Sequence, residues 1–463
     1  MSIVEPENDV DVVIVGGGLA GLCALNAALE IGARATLIEK TSSLGGSTVL
    51  SSGLMAFADT DEQHHEGIED SPQKFRADLV VTGLHQNDPA LLDVFENEQY
   101  STYLWLKKVG VSFGQPHGGS GQSVPRSHRI DTWKLVTDLA RRARELGGQI
   151  EVGVSASKLL TSAGRVIGVT ASCERGEEKI RAGAVVLTSG GFSRNEELLA
   201  KVAPAMAPAL RAGGDGNTGD GFLMARAIGA GQADMAFVKG TFGIFPFRSS
   251  AEEGTGILVV YKGAIAVNGF GNRFIDESLP YKLLGDACLA QPASLAYQIF
   301  DAQVMGESES SVPIYDFRRR LDAGQIRQSE TLEELAVELG IDESNLLETV
   351  NSYNHAIENG ETDSFNRTTL CGGVGKPVAL MKPPFYGYPS TTVVLATYCG
   401  VTVDRASRVT DVRGDAIPGL YAAGEVTGGF HGNGYVTGSS LGKSAVFGRI
   451  AGNRAAQFAR SDQ

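Results

Sequence analysis

The order of apolar and polar positions along the chain begins with a short strand, a glycine-rich turn and a helix. Asp11–Val15 (DVVIV) is a mostly β-branched run, and the stretch LCALNAALEIGA after Gly21 has a helical pattern. A second apolar run, ATLIEK, follows and carries Glu39 near its end. A strand, a helix and a second strand in this order predict a βαβ unit, the repeating element of a parallel sheet.

The pattern after this unit changes between helical and strand-like segments. Helical character covers most of residues 71–110, and residues 132–147 predict an amphipathic helix. Strand-like hairpins come next, and the sequence TGDGFLMARAIGA predicts a helix that begins after a glycine-rich turn. These segments extend the first domain with further strands and helices.

The character of the chain differs in its third quarter. Residues 235–372 contain a predicted strand at ILVVY, the loop NGFGNRFIDESLPY and a helical segment that Asp342 is expected to cap. From residue 373 the alternation of strand and helix returns. The predicted fold class is α/β. A Rossmann-like cofactor domain (1–234 and 373–463) is interrupted by an α+β cap domain (235–372).

Composition and charge exclude several classes of protein. The chain carries 40 Lys and Arg against 54 Asp and Glu, a formal charge of −14. This acidic balance argues against nucleic acid as a partner, because phosphate binding needs clustered Lys and Arg. Five scattered cysteines without CxxC spacing predict neither a disulfide framework nor a zinc site, and we expect no metal.

The start of the chain predicts no targeting segment and no membrane span. The sequence MSIVEPENDVDV is acidic and lacks the basic region of a signal peptide. Val12–Ala33 is long enough to cross a bilayer, but Gly16–Gly18 lies inside it, and Asn26 and Glu30 interrupt its end. We therefore expect a cytoplasmic protein without a transmembrane segment.

The turn between the first strand and helix has the spacing of a dinucleotide site. Gly16, Gly18 and Gly21 form a GxGxxG motif, in which glycines permit the tight turn, the approach of a pyrophosphate and close packing of helix on strand. The helix N-terminus offers unpaired N–H groups to the anion. Glu39 ends the next strand, where a carboxylate binds ribose hydroxyls.

Four further glycine clusters indicate that the cofactor is long. They are Gly45-Gly46-Ser47, Ser189-Gly190-Gly191, Thr218-Gly219-Asp220-Gly221 and Ala423-Gly424-Glu425, spread along the whole chain. Glycine lets the backbone come close to a ligand, and a ligand that reaches all four clusters is extended. This favours FAD over NAD, and only one GxGxxG-type βαβ unit is evident in the sequence.

At this point the chain resembles the flavoprotein superfamily of fumarate reductases, succinate dehydrogenases and 3-ketosteroid dehydrogenases. The resemblance covers nearly the whole chain and rests on VIVGGGLAGL, LGGSTVLSSGLMA, NTGDGFLMA, GNRFIDES and GLYAAGEVTGGFHGNGYVTGSSLGKSAVFGRIAG. It implies FAD, held non-covalently, because the histidine that binds flavin covalently in membrane-bound members has no match in GGSTVLSS. Motif and resemblance together give these expected FAD contacts: Gly16, Gly18, Ala20, Gly21, Glu39, Lys40, Gly45, Gly46, Ser47, Thr48, Ser52, Gly53, Gly190, Gly191, Asp220, Gly424, Glu425, Ser440 and Leu441.

The chain departs from the fumarate reductase pattern at the groups that bind a dicarboxylate. The resemblance places Tyr281 where those enzymes have an acid arginine, Tyr435 where they have a carboxylate-binding arginine, and Ala396 where they have a histidine. Tyrosine cannot replace the charge and bidentate geometry of arginine. Fumarate is therefore not the expected substrate.

Two tyrosines resemble the ketosteroid dehydrogenase branch instead. In that branch a Tyr in the position of Tyr281 removes a proton next to a ketone, and a Tyr in the position of Tyr435 binds the ketone oxygen. We expect the Ser439 N–H to assist Tyr435 as an oxyanion donor. Tyr281 needs a lowered pKa or a relay to act as a base. The steroid enzymes' third tyrosine has no secure match, and Tyr103, Phe113 and His117 are the candidates.

The sequence thus predicts an FAD-dependent dehydrogenase that desaturates a cyclic ketone, of 3-ketosteroid or cyclohexanone type, and passes a hydride to the flavin. The electron acceptor is unknown. One alternative is an ene-reductase that runs the same step backwards on an enone or unsaturated acid. The other is a flavin-binding or electron-transfer protein without turnover. Arg273 and Glu277 are expected to form a structural pair within their loop.

Overall fold

The computed structural model describes residues 9–174, 176–247, 256–371 and 373–461, so the acidic start of the chain lies outside it. The strands are β1 Val10–Val15, β2 Ala35–Glu39, β3 Leu54–Ala56, β4 Pro116–His117, β5 Ser127–Arg129, β6 Gln149–Val152, β7 Ser155–Ser162, β8 Arg165–Cys173, β9 Gly176–Leu187, β10 Leu210–Arg211, β11 Gln232–Ala233, β12 Thr241–Ile244, β13 Ile265–Asn268, β14 Ala296–Asp301, β15 Arg327–Ser329, β16 Phe385–Val394, β17 Gly400–Val401, β18 Arg408–Thr410 and β19 Ala416–Ala422. The helices are α1 Leu19–Glu30, α2 Asp61–His65, α3 Pro72–Thr82, α4 Pro89–Val109, α5 Thr132–Glu145, α6 Glu196–Val202, α7 Asp220–Ala227, α8 Tyr281–Leu289, α9 Ala302–Met305, α10 Phe317–Asp322, α11 Leu332–Leu339, α12 Glu343–Asn359 and α13 Ser439–Ser461.

The first sheet is the Rossmann-like layer that the βαβ pattern predicts. Its strands run in the order β18-β19-β9-β1-β2-β6, and β7 and β8 extend it from β9. β1 pairs in parallel with β2 and with β9, and the register places Val15 opposite Ile38 and Leu187. Helices α1, α5 and α13 pack together on this sheet. The carboxyl ends of parallel strands form a shared edge, which is where such sheets bind ligands.

The second sheet forms the cap domain and has β16 as its main strand. β16 pairs with β10, β12, β14 and β15, and β14 continues to β13. Helix α8 packs against β12 and β16, and Thr392 Oγ1 donates a hydrogen bond of 2.9 Å to Gly285 O of that helix. This packing fixes the position of Tyr281, the first residue of α8.

The second sheet takes in strands that lie outside the predicted cap limits of 235–372. β10 precedes residue 235 and β16 follows residue 372, which is itself outside the described residues. The run TTVVL at 391–395 was expected to belong to the returning cofactor domain, but its strand part pairs with β12 and β10 of the second sheet. A buried apolar run does not specify which of two sheets it joins.

The predicted strand at ILVVY is wrong. Val259–Lys262 forms a 3₁₀ turn, and the strand β13 begins at Ile265. Side chains satisfy the backbone of this buried turn, since Val260 N donates to Gln298 Oε1 at 3.1 Å and Arg367 Nη2 donates to Val260 O at 2.5 Å. Short apolar runs are buried in either conformation, so periodicity does not separate them.

The predicted helices of this region are confirmed. The side chain of Asp342 caps α12 by accepting a hydrogen bond of 2.9 Å from Asn345 N. Arg273 and Glu277 also form the expected pair, with Arg273 Nη2 2.6 Å from Glu277 Oε2. Over the described part of the chain, no helix has the length and apolar character needed to cross a bilayer.

Candidate active site

A cavity of about 480 Å³ lies between the cofactor domain and the cap domain. It begins at the carboxyl ends of β1 and β2, passes the first turns of α1 and α13, and ends against residues of the cap, including Thr241 of β12 and Tyr281 of α8. This volume lies within the ~300–1,000 Å³ that small-molecule and cofactor sites usually have.

The GxGxxG turn forms one wall of the cavity as predicted for a dinucleotide site. Gly16 has φ of +112°, and a Cβ on Gly21 would lie 1.9 Å from Gly16 O, so the turn and the helix contact both require glycine. Gly18 precedes α1 without a side-chain capping hydrogen bond. Leu19 N donates to Thr48 Oγ1 at 3.1 Å, and the other N–H groups of the first turn, with the positive end of the helix dipole, are available to an anion in the cavity.

Glu39 and Lys40 line the cavity at the end of β2. Glu39 Oε2 accepts from Gly17 N and Oε1 accepts from Thr41 N, each at 2.8 Å, so the carboxylate is held in one place with lone pairs remaining. Lys40 Nζ lies 2.5 Å from Asp220 Oδ2. This ion pair joins the first βαβ unit to the Thr218–Gly221 cluster, which is distant in sequence.

Glu425 lies where its own glycine cluster meets the cluster Ser189-Gly190-Gly191. Its half-buried carboxylate accepts from Thr397 N at 2.9 Å and from Asn217 Nδ2 at 3.2 Å. Burial raises the pKa of Glu425. A Cβ on Gly191 would lie 2.2 Å from Glu425 Oε1, so this position has no room for a side chain.

The N-terminus of α13 reaches the cavity through Ser440 and Leu441, but Ser439 does not line it. The Ser439 hydroxyl donates to Val436 O at 2.6 Å, and its N–H also donates to Val436 O, at 3.1 Å. The N–H proposed as an oxyanion donor is thus already used within the chain. The dipole of α13 still places positive potential at this end of the cavity.

Most of the expected FAD contacts line the cavity, and four of them do not. Those that line the cavity are Gly16, Gly18, Ala20, Glu39, Lys40, Gly46, Ser47, Thr48, Ser52, Gly190, Asp220, Gly424, Glu425, Ser440 and Leu441. Those that do not are Gly21, Gly45, Gly53 and Gly191, which serve the backbone turns.

The donor set fits FAD. Ser189 Oγ and His431 Nδ1, both from residues lining the cavity, are buried and have no hydrogen-bond partner among the described residues. Buried polar atoms are nearly always paired, so such atoms indicate a polar ligand. The residues present would hold the pyrophosphate at α1, the ribose at Glu39 and the flavin near α13.

Three tyrosines meet at the cap end of the cavity. Tyr281 of the cap and Tyr435 of the cofactor domain have ring centroids 6.1 Å apart, and Tyr398 stacks on Tyr435 at 4.8 Å. All three line the cavity. Burial raises the pKa of each phenol, so each hydroxyl carries its proton at neutral pH.

Tyr398 is a third cavity-lining tyrosine, and the sequence analysis did not identify it. Tyr103, Phe113 and His117 are not among the cavity residues, and the Tyr103 hydroxyl instead donates to Glu62 Oε2. Tyr398 lies two residues after Ala396, within the segment already singled out. Tyr398 has a φ of +55°, so the chain turns at this residue. Nothing in the neighbouring sequence predicts this conformation.

The described walls near the tyrosines are mostly apolar and contain no guanidinium. The cap contributes Phe242, Leu258 and Ile314, and the cofactor domain contributes Ala396 and His431. Burial and the nearby Lys443 and Lys282 hold the pKa of His431 well below its usual range, so the imidazole is neutral. Among the described cavity residues there is no arginine to clamp a carboxylate.

Comparisons with known proteins agree with this geometry. The profile of the FAD binding domain family matches residues 11–441. A probable fumarate reductase of Shewanella frigidimarina is 32% identical, over 98% of this chain and 76% of its own length. A urocanate reductase of Eggerthella lenta is 31% identical, over 97% of this chain and 75% of its own. The solved 3-ketosteroid-Δ4-(5α)-dehydrogenase of Rhodococcus jostii is 27% identical with a TM-score of 0.79, over 98% of each chain.

Proposed function

This chain belongs to the FAD binding domain family, and we propose that it carries out the α,β-dehydrogenation of a neutral cyclic ketone. The protein is an FAD-dependent oxidoreductase, because its relatives in this family are FAD-dependent enzymes that act at carbon–carbon bonds. The proposal concerns which substrate this site accepts and what its tyrosines do.

One observation carries the proposal: among the residues that the structure describes, three phenols and no guanidinium line the cap end of the cavity. A phenol hydroxyl donates one hydrogen bond to a neutral carbonyl, whereas a carboxylate is best held by the bidentate fork of arginine. The facing walls include Phe242, Leu258 and Ile314, which suit an alicyclic skeleton. A neutral carbonyl compound therefore fits this end better than a dicarboxylate.

The two predicted tyrosines then divide the chemistry. Tyr435 donates to the ketone oxygen and stabilises the negative charge that grows there as the α C–H bond breaks. The ring centroid of Tyr281 lies 6.1 Å from that of Tyr435, and the Tyr281 hydroxyl exchanges the α-proton. Bound FAD supplies the acceptor for the β-hydride.

A second candidate function is the reverse reaction, reduction of the α,β-double bond of an enone. The raised pKa of Tyr281 favours it, because a protonated phenol is ready to donate to the α-carbon. Two relatives carry names of reductases. A non-catalytic flavin carrier has no need for three phenols in the cavity.

We expect photoreduced enzyme to be reoxidised by cyclic enones and not by fumarate. The cavity offers hydrogen bonds to a neutral carbonyl, and its described residues include no arginine that could bind either carboxylate. Anaerobic mixing followed by flavin absorbance measures both rates, and the oxidised enzyme with saturated cyclic ketones measures the forward direction. Rapid reoxidation by fumarate, together with no response to any ketone or enone, would overturn the proposal.

We expect purified protein to be yellow and to release its FAD on denaturation. The only cavity-lining histidine in the described chain is His431, and no histidine occurs in the loop Gly45–Ser52. Heating in acid followed by centrifugation should leave the flavin in the supernatant, and chromatography should identify it as FAD. Colour that stays with the precipitated polypeptide would show a covalent bond.

A further inference from the structure

Lys282 is buried behind the three tyrosines and has not been given a role. It follows Tyr281 on α8, and its side chain is 1% exposed. Its Nζ lies 4.7 Å from the ring centroid of Tyr398, 5.6 Å from that of Tyr281 and 5.8 Å from that of Tyr435. A cation within about 6 Å of an aromatic face interacts with its electrons, so one amine contacts the whole cluster.

The hydrogen bonds of Lys282 leave its charge without a direct counter-ion. Nζ donates to Thr241 Oγ1 at 2.7 Å and to Lys239 O at 3.3 Å. Asp286, one turn further along α8, is paired with Lys239 instead. In the described chain, no carboxylate forms an ion pair with Lys282. A buried ammonium held only by neutral groups is costly, and such sites usually have a function that needs the charge.

The charged and titratable groups around Lys282 come from every element packed against it. On its own helix these are Tyr281 and Asp286; Lys239 comes from the segment before β12; and Glu425, His431, Tyr398 and Tyr435 come from the cofactor domain. Burial is the largest influence and lowers the pKa of Lys282 to about 7, while Asp286 and Glu425 act in the opposite direction. Lys282 thus titrates near neutrality, where its tyrosine neighbours do not.

We propose that Lys282 is the positioning residue that allows Tyr281 to exchange a proton with the substrate. The inference rests on the proposed function, because it assigns the relay that Tyr281 needs. When the Tyr281–Lys282 pair has lost one proton to solvent, it exists in two forms. In one form a neutral amine lies beside a phenol, and in the other an ammonium lies beside a phenolate. The nearby ammonium stabilises the second form.

The proton and electron balance of the step is complete. The α C–H bond breaks and its proton goes to the Tyr281 oxygen, while the β C–H bond breaks and its hydride goes to FAD, leaving a carbon–carbon double bond. After this step the Tyr281–Lys282 pair carries one more proton than it did at the start, and Lys282 releases that proton to solvent. Reduction of an enone uses the same steps in reverse, with the proton starting on the pair.

The test is the pH profile of flavin reduction by a saturated cyclic ketone, measured by anaerobic stopped flow. Wild-type enzyme should reduce its flavin faster as the pH rises through about 7, because deprotonation creates the form that accepts the α-proton. In Lys282→Met we expect the rate to fall about 10²-fold or more, the typical size of a proton-transfer effect. The inflection near neutrality should disappear, while KM changes little because Lys282 does not line the cavity.

Two further variants separate this role from a structural one. Lys282→Arg keeps a cation that does not titrate near neutrality, so part of the rate should return without the inflection. Lys262→Met is the matched control, since Lys262 Nζ lies 4.6 Å over the ring of Tyr315 in the same domain but outside the cavity. It should keep the wild-type profile. A Lys282→Met enzyme with full FAD content and the wild-type inflection would overturn the inference.

A measurement without substrate keeps this inference distinct from the proposed function. NMR of the holoenzyme labelled with ¹³Cε-lysine follows each lysine through a pH titration, and the signal lost in Lys282→Met identifies Lys282. A midpoint near 7 supports the inference even if no ketone turns over, in which case the substrate class is what fails. A midpoint near the ordinary lysine value of about 10.4 rejects it.

Discussion

Tyr281→Phe should reduce the rate of flavin reduction by cyclic ketones about 10²–10⁴-fold while leaving ketone binding nearly intact. The change removes one oxygen from the site, at the group that exchanges the α-proton, and keeps the ring that faces Tyr435 at 6.1 Å. Ketone binding is followed as a shift in the flavin spectrum, and reduction as its loss of absorbance under anaerobic conditions. Exchange of the substrate α-hydrogen with solvent deuterium should disappear in the same variant.

The matched control is Tyr353→Phe. Tyr353 is a buried cap-domain tyrosine whose hydroxyl has no hydrogen-bond partner among the described residues, and it does not line the cavity. It should reduce its flavin at the wild-type rate. If Tyr281→Phe also does so, the proton-exchanging group lies elsewhere.

Tyr435→Phe should weaken ketone binding as well as slow reduction, by about 10²–10³-fold in rate. Its hydroxyl is the proposed donor to the ketone oxygen, and the Ser439 N–H is already bonded to Val436 O and gives no substitute. Because the two tyrosine variants are expected to lose similar amounts of rate, the spectral shift on ketone binding distinguishes them. Equal ketone affinity in wild type and Tyr435→Phe would contradict the proposed anchor role.

The dinucleotide half of the site could be predicted because its signals are local. Gly16, Gly18 and Gly21 are fixed by the geometry of one turn, and Glu39 follows from the length of one helix and one strand. Spacing of this kind carries the same meaning in any chain that folds this way. The turn, helix and carboxylate therefore appear in the structure where the sequence analysis placed them.

The substrate half could be predicted only in part, because its contacts join distant segments. Tyr398 reaches Tyr435 through a turn with positive φ, and nothing in ATYCG indicates that conformation. Lys282 has no motif of its own, and only the packing of α8 against the cofactor domain shows that its amine is buried. The sheet to which β16 belongs is likewise decided by its partners, not by its residues.

Two domains contribute residues to the tyrosine cluster, and the other functions of these domains are separate. Tyr281 enters on the cap, while Tyr435 and the pyrophosphate-binding turn belong to the cofactor domain. Under the proposed function, we expect substitutions at Leu258 or Ile314 to alter which molecule is accepted without changing how the dinucleotide is held. Related proteins with this arrangement can acquire new substrates by drift in the cap domain, while purifying selection keeps the cofactor domain constant.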